Sequence, residues 1–150
     1  MYRIREVDSH DDDVADTLMD LHRLTFLDSA SIPEFENGHW WLAFYEGQPV
    51  AFAGVIASTH VRNAGYFSRV GVRRKHCGHG LQLRLMRAME LRARTNGWNC
   101  VISDTTDNVA SANNFIRAGY KLYEPRHPWA WSNTLYWRKF VGRNDGARSV

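Results

Sequence analysis

The 150-residue sequence predicts one α/β (α+β) domain, because strand and helix patterns alternate along it without a linker or an internal repeat. Runs rich in Val, Tyr, Phe and Trp mark the strands. Apolar residues three or four positions apart mark the helices. The length suits a single hydrophobic core. We predict the domain over residues 1–141 and a frayed polar tail over residues 142–150.

The N-terminal third contains one strand, one helix and then two further strands. Tyr2–Val7 alternates as a half-buried strand does, and Ser9 is a suitable N-cap for the helix after it. We expect the apolar residues of that helix on one buried face: Val14, Leu18, Leu21 and Leu24. Residues 33–38 read as a loop or a short second helix. Strand patterns follow over residues 40–45 and 50–57, and the second is apolar throughout, as in a strand covered on both faces.

A strand, a glycine turn and a long helix follow in succession. The strand pattern runs over residues 66–72, and apolar residues recur at helical spacing from Leu81. Asn96-Gly97 is a typical helix stop, and residues 98–103 read as the next strand. Such a strand–helix–strand unit predicts a right-handed parallel crossover.

The turn before Leu81 has the features of an anion site. Gly78 and Gly80 let the backbone approach a ligand, and the first turn of the helix leaves its N–H groups unpaired. The helix dipole adds partial positive charge there. Arg73, Arg74 and Lys75 add full charges just before the turn. The arrangement suits a pyrophosphate. We favour this role over an ordinary solvated charge run, because the glycines and the helix follow the basic residues directly.

The C-terminal third contains a shorter helix and two strands. The helix begins at Asn108 and ends near Gly119. A short strand is expected over residues 120–123, a loop with two prolines and two tryptophans over residues 124–131, and a last strand over residues 134–140.

Composition and charge limit the function without deciding it. The net charge is +3 and the isoelectric point is near 9.1, which suits an anionic ligand and equally suits nucleic acid. Cys77 and Cys100 lack the spacing of a metal site, and we expect both to be reduced thiols in a cytoplasmic protein. We expect no membrane partner, because no apolar run approaches the ~20 residues that cross a bilayer.

Two segments together resemble the acyl-CoA-binding signature of the GNAT superfamily of N-acyltransferases. Cys77 to Gln82 falls on the motif Arg/Gln-x-x-Gly-x-Gly/Ala, with Cys77 where Arg or Gln is usual and Gln82 where a small residue is usual. Asn108 to Tyr120 resembles the downstream motif Asn-x-x-Ala/Ser-x-x-x-Tyr/Phe-x-x-x-Gly-Phe/Tyr. The resemblance implies a mixed, mainly antiparallel sheet of about six to seven strands with helices on both faces.

The resemblance also implies an N-acetyltransferase that moves an acetyl group from acetyl-CoA to a primary amine by direct attack in a ternary complex. The acceptor would be a small-molecule or peptide amine. We expect neither a metal nor a nucleic-acid partner, and a homodimer is possible. The positions implied for binding the CoA moiety are Val70, Gly71, Val72, Arg73, Arg74, Lys75, Cys77, Gly78, His79, Gly80, Leu81, Asn108, Ser111 and Phe115.

The resemblance leaves the catalytic groups less defined. Asn108 matches the family's Asn near the pantetheine, and Phe115 stands where a Tyr often protonates the departing thiolate. Phe cannot donate a proton, so we predict Tyr123 as the acid, with Asn108 as the second catalytic residue. The base is open: Asp104 or His60 could act through a water molecule.

Three carboxylates and two tryptophans are the expected acceptor contacts. Asp28, Glu34 and Glu36 fall in the region that in GNAT proteins shapes the acceptor site, which favours a cationic amine. Trp129 and Trp131 lie in the loop expected near the acceptor entrance and could form a substrate wall.

Two other functions compete with this interpretation. Phe115 motivates a non-catalytic acyl-CoA-binding module. The basic charge alone permits a small nucleic-acid-binding domain, although no motif supports it. Zinc is not expected at His76, Cys77 and His79, which are too close together and lack a fourth partner.

Overall fold

The computed structural model describes residues 1–27 and 30–142. In these ranges the strands are β1 (Tyr2–Val7), β2 (His39–Tyr45), β3 (Gln48–Ala57), β4 (Ala64–Val72), β5 (Cys100–Thr105), β6 (Lys121–Leu122) and β7 (Leu135–Phe140). The α-helices there are α1 (Asp12–Phe26), α2 (Leu81–Thr95) and α3 (Val109–Arg117). Residues 143–150 of the predicted tail lie outside the described residues, and the single domain over residues 1–141 stays a prediction.

The strands form a seven-stranded sheet in the order β1-β2-β3-β4-β5-β7-β6. β1 with β2, β2 with β3, β5 with β7 and β6 with β7 pair antiparallel. β4 and β5, which α2 connects, pair parallel, with Ala64 opposite Cys100 and Tyr66 opposite Ile102. The predicted parallel crossover and the mixed, mainly antiparallel sheet are therefore confirmed.

The chain divides into two compact units, and the first comprises Met1–Ile56 and Ser68–Met86. Its core forms where α1 packs on β2 and β3. The buried members of this cluster are Leu18, Leu21, Phe35, Trp40, Leu42 and Phe52. Residues 33–38 form a loop with a turn at residues 35–36, and the Trp40 Nε1–H donates to the Asn37 carbonyl oxygen at 2.6 Å. Of the two alternatives for this segment, the loop is the one observed.

Two sequence predictions for α1 were wrong. The N-cap is Asp11, whose carboxylate accepts the Val14 N–H at 3.1 Å, because α1 begins two residues later than a Ser9 cap requires. Leu24 is 57% exposed, whereas His22 is only 1% exposed. At about 100° per residue, Leu24 turns away from the face that carries Leu18, and His22 turns toward it.

His22 is a polar residue in an aromatic environment. Its ring stacks on Phe26, with 4.7 Å between centroids, and also contacts Phe35 and Phe52. Neither ring nitrogen has a hydrogen-bond partner among the residues that the structure describes. Burial, and to a smaller extent the charge of Arg69, lowers the pKa of His22. The neutral imidazole is therefore the form that the folded protein tolerates.

We expect this buried histidine to make stability fall as the pH decreases. Because its folded pKa is lowered, the unfolded chain takes up a proton first, so the contribution is lost as pH falls below the unfolded value of about 6.5. Urea unfolding between pH 7.5 and pH 5 measures this effect. His22→Leu should flatten the profile, whereas His10→Leu, at an exposed site, should not. A His22→Leu protein with the wild-type pH slope would exclude His22 as the cause.

The second unit comprises Ala57–Phe67 and the chain from Arg87 onward. One cluster buries Ala64, Cys100 and Ile102 and adds the rings of Tyr123 and Trp129. In a separate aromatic group, the residues in contact are Phe67, Phe115, Tyr120 and Trp137.

Strand β5 ends at Thr105, two residues later than expected, because Asp104 pairs with Tyr136 and Thr105 pairs with Leu135. The polar side chains of Asp104 and Thr105 hid this extension in the sequence.

Within the described ranges, none of the helices combines the length and the apolar character needed to cross a bilayer.

Candidate active site

The turn between β4 and α2 belongs to the first unit and contains the two glycines predicted for an anion site. Gly78 has φ = 83° and Gly80 has φ = 74°. Both values lie in the left-handed region of backbone conformation, which residues other than glycine rarely adopt. A Cβ placed on either glycine meets no atom within 4 Å. The backbone conformation therefore favours glycine, and the space beside both residues is open to a ligand.

The helix that follows presents its N-terminus at this turn. The Arg84 N–H donates to the Gly80 carbonyl oxygen at 3.1 Å, so intrahelical bonding begins there. The N–H groups of the first turn precede this bond and have no partner within the helix. Three exposed cationic residues come just before the glycines: Arg73, Arg74 and Lys75. Positive charge and backbone donors thus lie in one short segment.

Contacts with β1 hold this segment on both sides. The Tyr2 hydroxyl and His76 Nδ1 form a hydrogen bond of 3.0 Å, and His76 ends the 3₁₀ turn Arg74–His76. Arg84 Nη2, on α2, donates to the Tyr2 carbonyl oxygen at 3.3 Å. The rings of Tyr2 and His79 are 5.4 Å apart. Sequence reasoning missed Tyr2, since its partners lie more than seventy positions away and no local pattern marks them.

The predicted strand residues before the turn have different surroundings. A Cβ on Gly71 would lie 2.3 Å from Thr25 Oγ1 and 2.6 Å from the Phe52 ring, so the close packing of α1 explains this glycine. The register of β4 with β5 covers Ala64–Tyr66. Val70 and Val72 lie beyond that register, on the part of β4 nearest the turn. Cys77 is exposed and free, and Leu81 is buried at the start of α2.

The second motif lies in the second unit and begins at a helix cap. Asn108 is the N-cap of α3, and its Oδ1 accepts the Ser111 N–H at 3.0 Å. Phe115 is 3% exposed and stacks on Trp137 with 5.7 Å between centroids. Helix capping is thus a structural role for Asn108, and aromatic packing is a structural role for Phe115. Their roles toward CoA stay predictions.

Tyr123 occupies a partly buried position in the second unit. Its hydroxyl is buried and has no hydrogen-bond partner among the described residues. Burial raises the pKa of Tyr123 to about 12, although the nearby Arg138 charge acts in the opposite direction. The guanidinium of Arg138 lies 4.4 Å from the centroid of the Tyr123 ring. The phenol therefore keeps its proton throughout the neutral range.

The two base candidates belong to one cluster in the second unit. Asp104 Oδ2 accepts hydrogen bonds from the Tyr66 hydroxyl at 2.6 Å and from Trp129 Nε1 at 2.9 Å. The His60 ring lies parallel to Trp129 with 4.3 Å between centroids. The His60 ring also lies edge-on to the Tyr66 ring, with 6.2 Å between centroids, so both hydrogen-bond donors to Asp104 contact His60. The sequence suggested both residues but not the aromatic side chains that join them.

The structure describes two of the three carboxylate residues that were predicted to contact the acceptor. Glu34 and Glu36 are exposed in the first unit, and Glu34 Oε2 accepts from Asn37 Nδ2 at 2.8 Å. Asp28 lies outside the described residues. The assignment of these three residues to the acceptor stays a prediction.

Comparison with solved structures gives the same fold repeatedly. The ribosomal-protein-S18-alanine N-acetyltransferase from Escherichia coli is 12% identical, with a TM-score of 0.72 over 95% of both chains. An acetyltransferase of the GNAT family from Staphylococcus aureus MU50 is 15% identical, with a TM-score of 0.73 over 94% of this chain and 99% of the other.

A third structure, from Bacillus anthracis and assigned as a streptothricin acetyltransferase, was solved in complex with acetyl coenzyme A. It is 17% identical, with a TM-score of 0.63 over 75% of this chain and 70% of the other. At these identities the likeness shows the fold alone. A search of curated proteins found no match.

The family model "Acetyltransferase (GNAT) family" matches residues 6–120. This range includes the β4–α2 turn and the α3 motif, and it covers well over half of the chain. The chain therefore belongs to the acetyltransferase (GNAT) family.

Proposed function

We propose that this protein is an N-acetyltransferase that transfers an acetyl group from acetyl-CoA to a primary amine by direct attack in a ternary complex. The observation that carries the proposal is the β4–α2 turn. Its left-handed glycines, Gly78 and Gly80, face open space between three cations and the N-terminus of a 15-residue helix. Family membership and the acetyl-CoA complex of the Bacillus anthracis structure support it.

The residues of the turn fit a pyrophosphate by charge and by shape. Backbone N–H groups of Gly78, His79 and Gly80 would donate to the phosphate oxygens together with the first turn of α2. Arg73, Arg74 and Lys75 would add long-range attraction. The backbone of Val70, Gly71 and Val72, beyond the β5 register, would pair with the extended pantetheine arm. Asn108, Ser111 and Phe115 complete the proposed CoA-binding set.

The reaction forms a C–N bond and breaks the C–S bond of the thioester. Negative charge develops on the carbonyl oxygen, and a backbone N–H of β4 would stabilise it. The leaving thiolate takes a proton, which we assign to the Tyr123 hydroxyl. Its pKa of about 12 keeps the donor protonated at neutral pH. Asn108, which caps α3, is the second proposed catalytic residue.

The attacking amine must lose a proton, and Asp104 is the better base candidate of the two. Its carboxylate is oriented by two hydrogen bonds, from Tyr66 and Trp129, whereas the His60 ring stacks on Trp129 and lies edge-on to Tyr66. A water molecule would relay the proton, as expected for a carboxylate that is already shared with two donors.

An acceptor screen that follows thiol release tests the proposal. With acetyl-CoA present, at least one amine should release CoA in equal amount to an acetylated product identified by mass spectrometry. Acetyl-CoA binding without thiol release for any amine class would favour the non-catalytic acyl-CoA-binding module, for which the packed Phe115 side chain is the motive.

A further inference from the structure

A cavity of about 500 Å³ lies beside the loop between β6 and β7 in the second unit. Its volume falls within the range of small-molecule sites. Apolar and aromatic side chains form most of the wall, among them Leu122, Tyr123, Trp131, Leu135 and Tyr136. Among the described residues that line it, Glu124 is the one carboxylate and there is no Lys or Arg.

The loop that forms this wall is fixed to its surroundings. The Ala130 N–H donates to the Tyr136 hydroxyl at 3.0 Å, and the Thr134 N–H donates to the Trp131 carbonyl oxygen at 3.0 Å. The hydroxyls of Thr106 and Thr134 are 2.6 Å apart, which ties the loop to the residue after β5. The cavity wall is therefore preformed, as is usual for a small-molecule site.

Large apolar side chains on this fixed wall face solvent. Trp131 is 73% exposed, Leu122 is 57% exposed and Leu135 is 44% exposed. Burial of each of these side chains against an apolar ligand would stabilise the complex in proportion to the apolar area removed from water. Clustered around a cavity, such side chains mark a ligand surface more strongly than scattered apolar residues do.

The charge on the cavity lining favours a cation at one end. Glu124 provides the negative charge of the lining. The nearby Arg138 guanidinium lies over the Tyr123 ring and is not part of the lining, so a positive ligand group belongs at Glu124 and not at Tyr123. An indole face such as that of Trp131 also attracts cations.

We propose that this cavity binds the acceptor, and that the acceptor is a primary amine carried on an apolar or aromatic body. The ammonium form would be attracted by Glu124, while the body packs along Trp131 and Leu135. The inference rests on the proposed acetyl transfer, whose acid, Tyr123, lines the same cavity.

Calorimetric titration with 2-phenylethylamine tests this inference without requiring turnover. 2-Phenylethanol, which has the same shape without charge, should bind at least fivefold more weakly, and 3-phenylpropionate more weakly still. Trp131→Ala and Glu124→Gln should each weaken amine binding about tenfold. Leu91→Ala, which trims an exposed apolar side chain on α2, should have no effect. Thermal unfolding of each variant checks that the fold is retained.

Equal affinity of wild-type protein for the amine and for 3-phenylpropionate would overturn the inference, whatever the variants do. The inference would also be overturned if Trp131→Ala and Glu124→Gln both left the affinity for 2-phenylethylamine unchanged. Acetyl-CoA titrated into the same samples separates the two proposals. Failure of acetyl-CoA to bind counts against acetyl transfer itself. Thiol release with an amine whose KM does not respond to Trp131→Ala or Glu124→Gln counts against this cavity alone.

Discussion

Replacing Tyr123 by Phe is expected to lower the maximal rate of acetyl transfer by about a hundredfold, the lower end of the usual range for general acid catalysis. The change removes one hydroxyl and little volume, and that hydroxyl has no partner among the described residues whose loss would disturb the fold. Acetyl-CoA affinity should therefore hardly change. Steady-state kinetics of thiol release at saturating acceptor measure the effect. Tyr120→Phe, at a buried tyrosine in the same segment, is the matched control.

A rate within about threefold of wild type would remove Tyr123 from the mechanism, because an effect below ~0.7 kcal/mol is too small for a general acid. Phe115→Tyr would then be the variant to measure, since Phe115 stands where the family often has a tyrosine as general acid. A gain in rate would show that the site still accepts a phenol at that position. A hydroxyl at Phe115 must first find room beside Trp137, on which the ring stacks.

Gly80→Asp is expected to weaken acetyl-CoA binding at least tenfold, which corresponds to ~1.4 kcal/mol. The new side chain would point into the open space beside the turn and would bring a negative charge to the proposed pyrophosphate site. Calorimetry measures the affinity. Gly80→Ala gives the cost of a side chain at φ = 74° without the charge. Gly97→Asp places the same side chain at another left-handed glycine with open space, after the end of α2.

Gly97→Asp should bind acetyl-CoA as the wild type does, and Gly80→Ala should lose less affinity than Gly80→Asp. Should Gly80→Asp retain wild-type affinity in a folded protein, the phosphates would have to bind elsewhere on the chain.

The features that the sequence predicted are those encoded by neighbouring residues. Gly78 and Gly80 stand between a strand pattern and a helix pattern, so the turn, its charge and the parallel crossover all followed from local spacing. The tryptophans of the β6–β7 loop were expected at a substrate wall because the family resemblance implies that this loop lies near the acceptor entrance. Trp131 does line a cavity, and its role toward the acceptor stays a proposal.

The features that the sequence did not predict depend on distant contacts. Tyr2 reaches His76 only because β1 and the β4–α2 turn meet in the fold. Asp104 was one of several polar residues after a strand, and its hydrogen bonds come from Tyr66 and Trp129, far from it in sequence. Gly71 was predicted from the resemblance as a CoA-binding position, which stays a prediction, whereas the packing of α1 against it is a tertiary contact that no local pattern encodes.

Titration with acetyl-CoA tests the central claim most directly, because binding at the β4–α2 turn is required for every later step. We predict saturable binding by calorimetry and a melting temperature that rises with ligand concentration. At a hundredfold excess over Kd the stabilisation should be about 2.7 kcal/mol, since the ligand binds the native state and not the unfolded chain. For a chain of this length that amounts to roughly 5–10 °C. Folded protein that shows neither heat of binding nor a melting shift at millimolar acetyl-CoA would contradict the account.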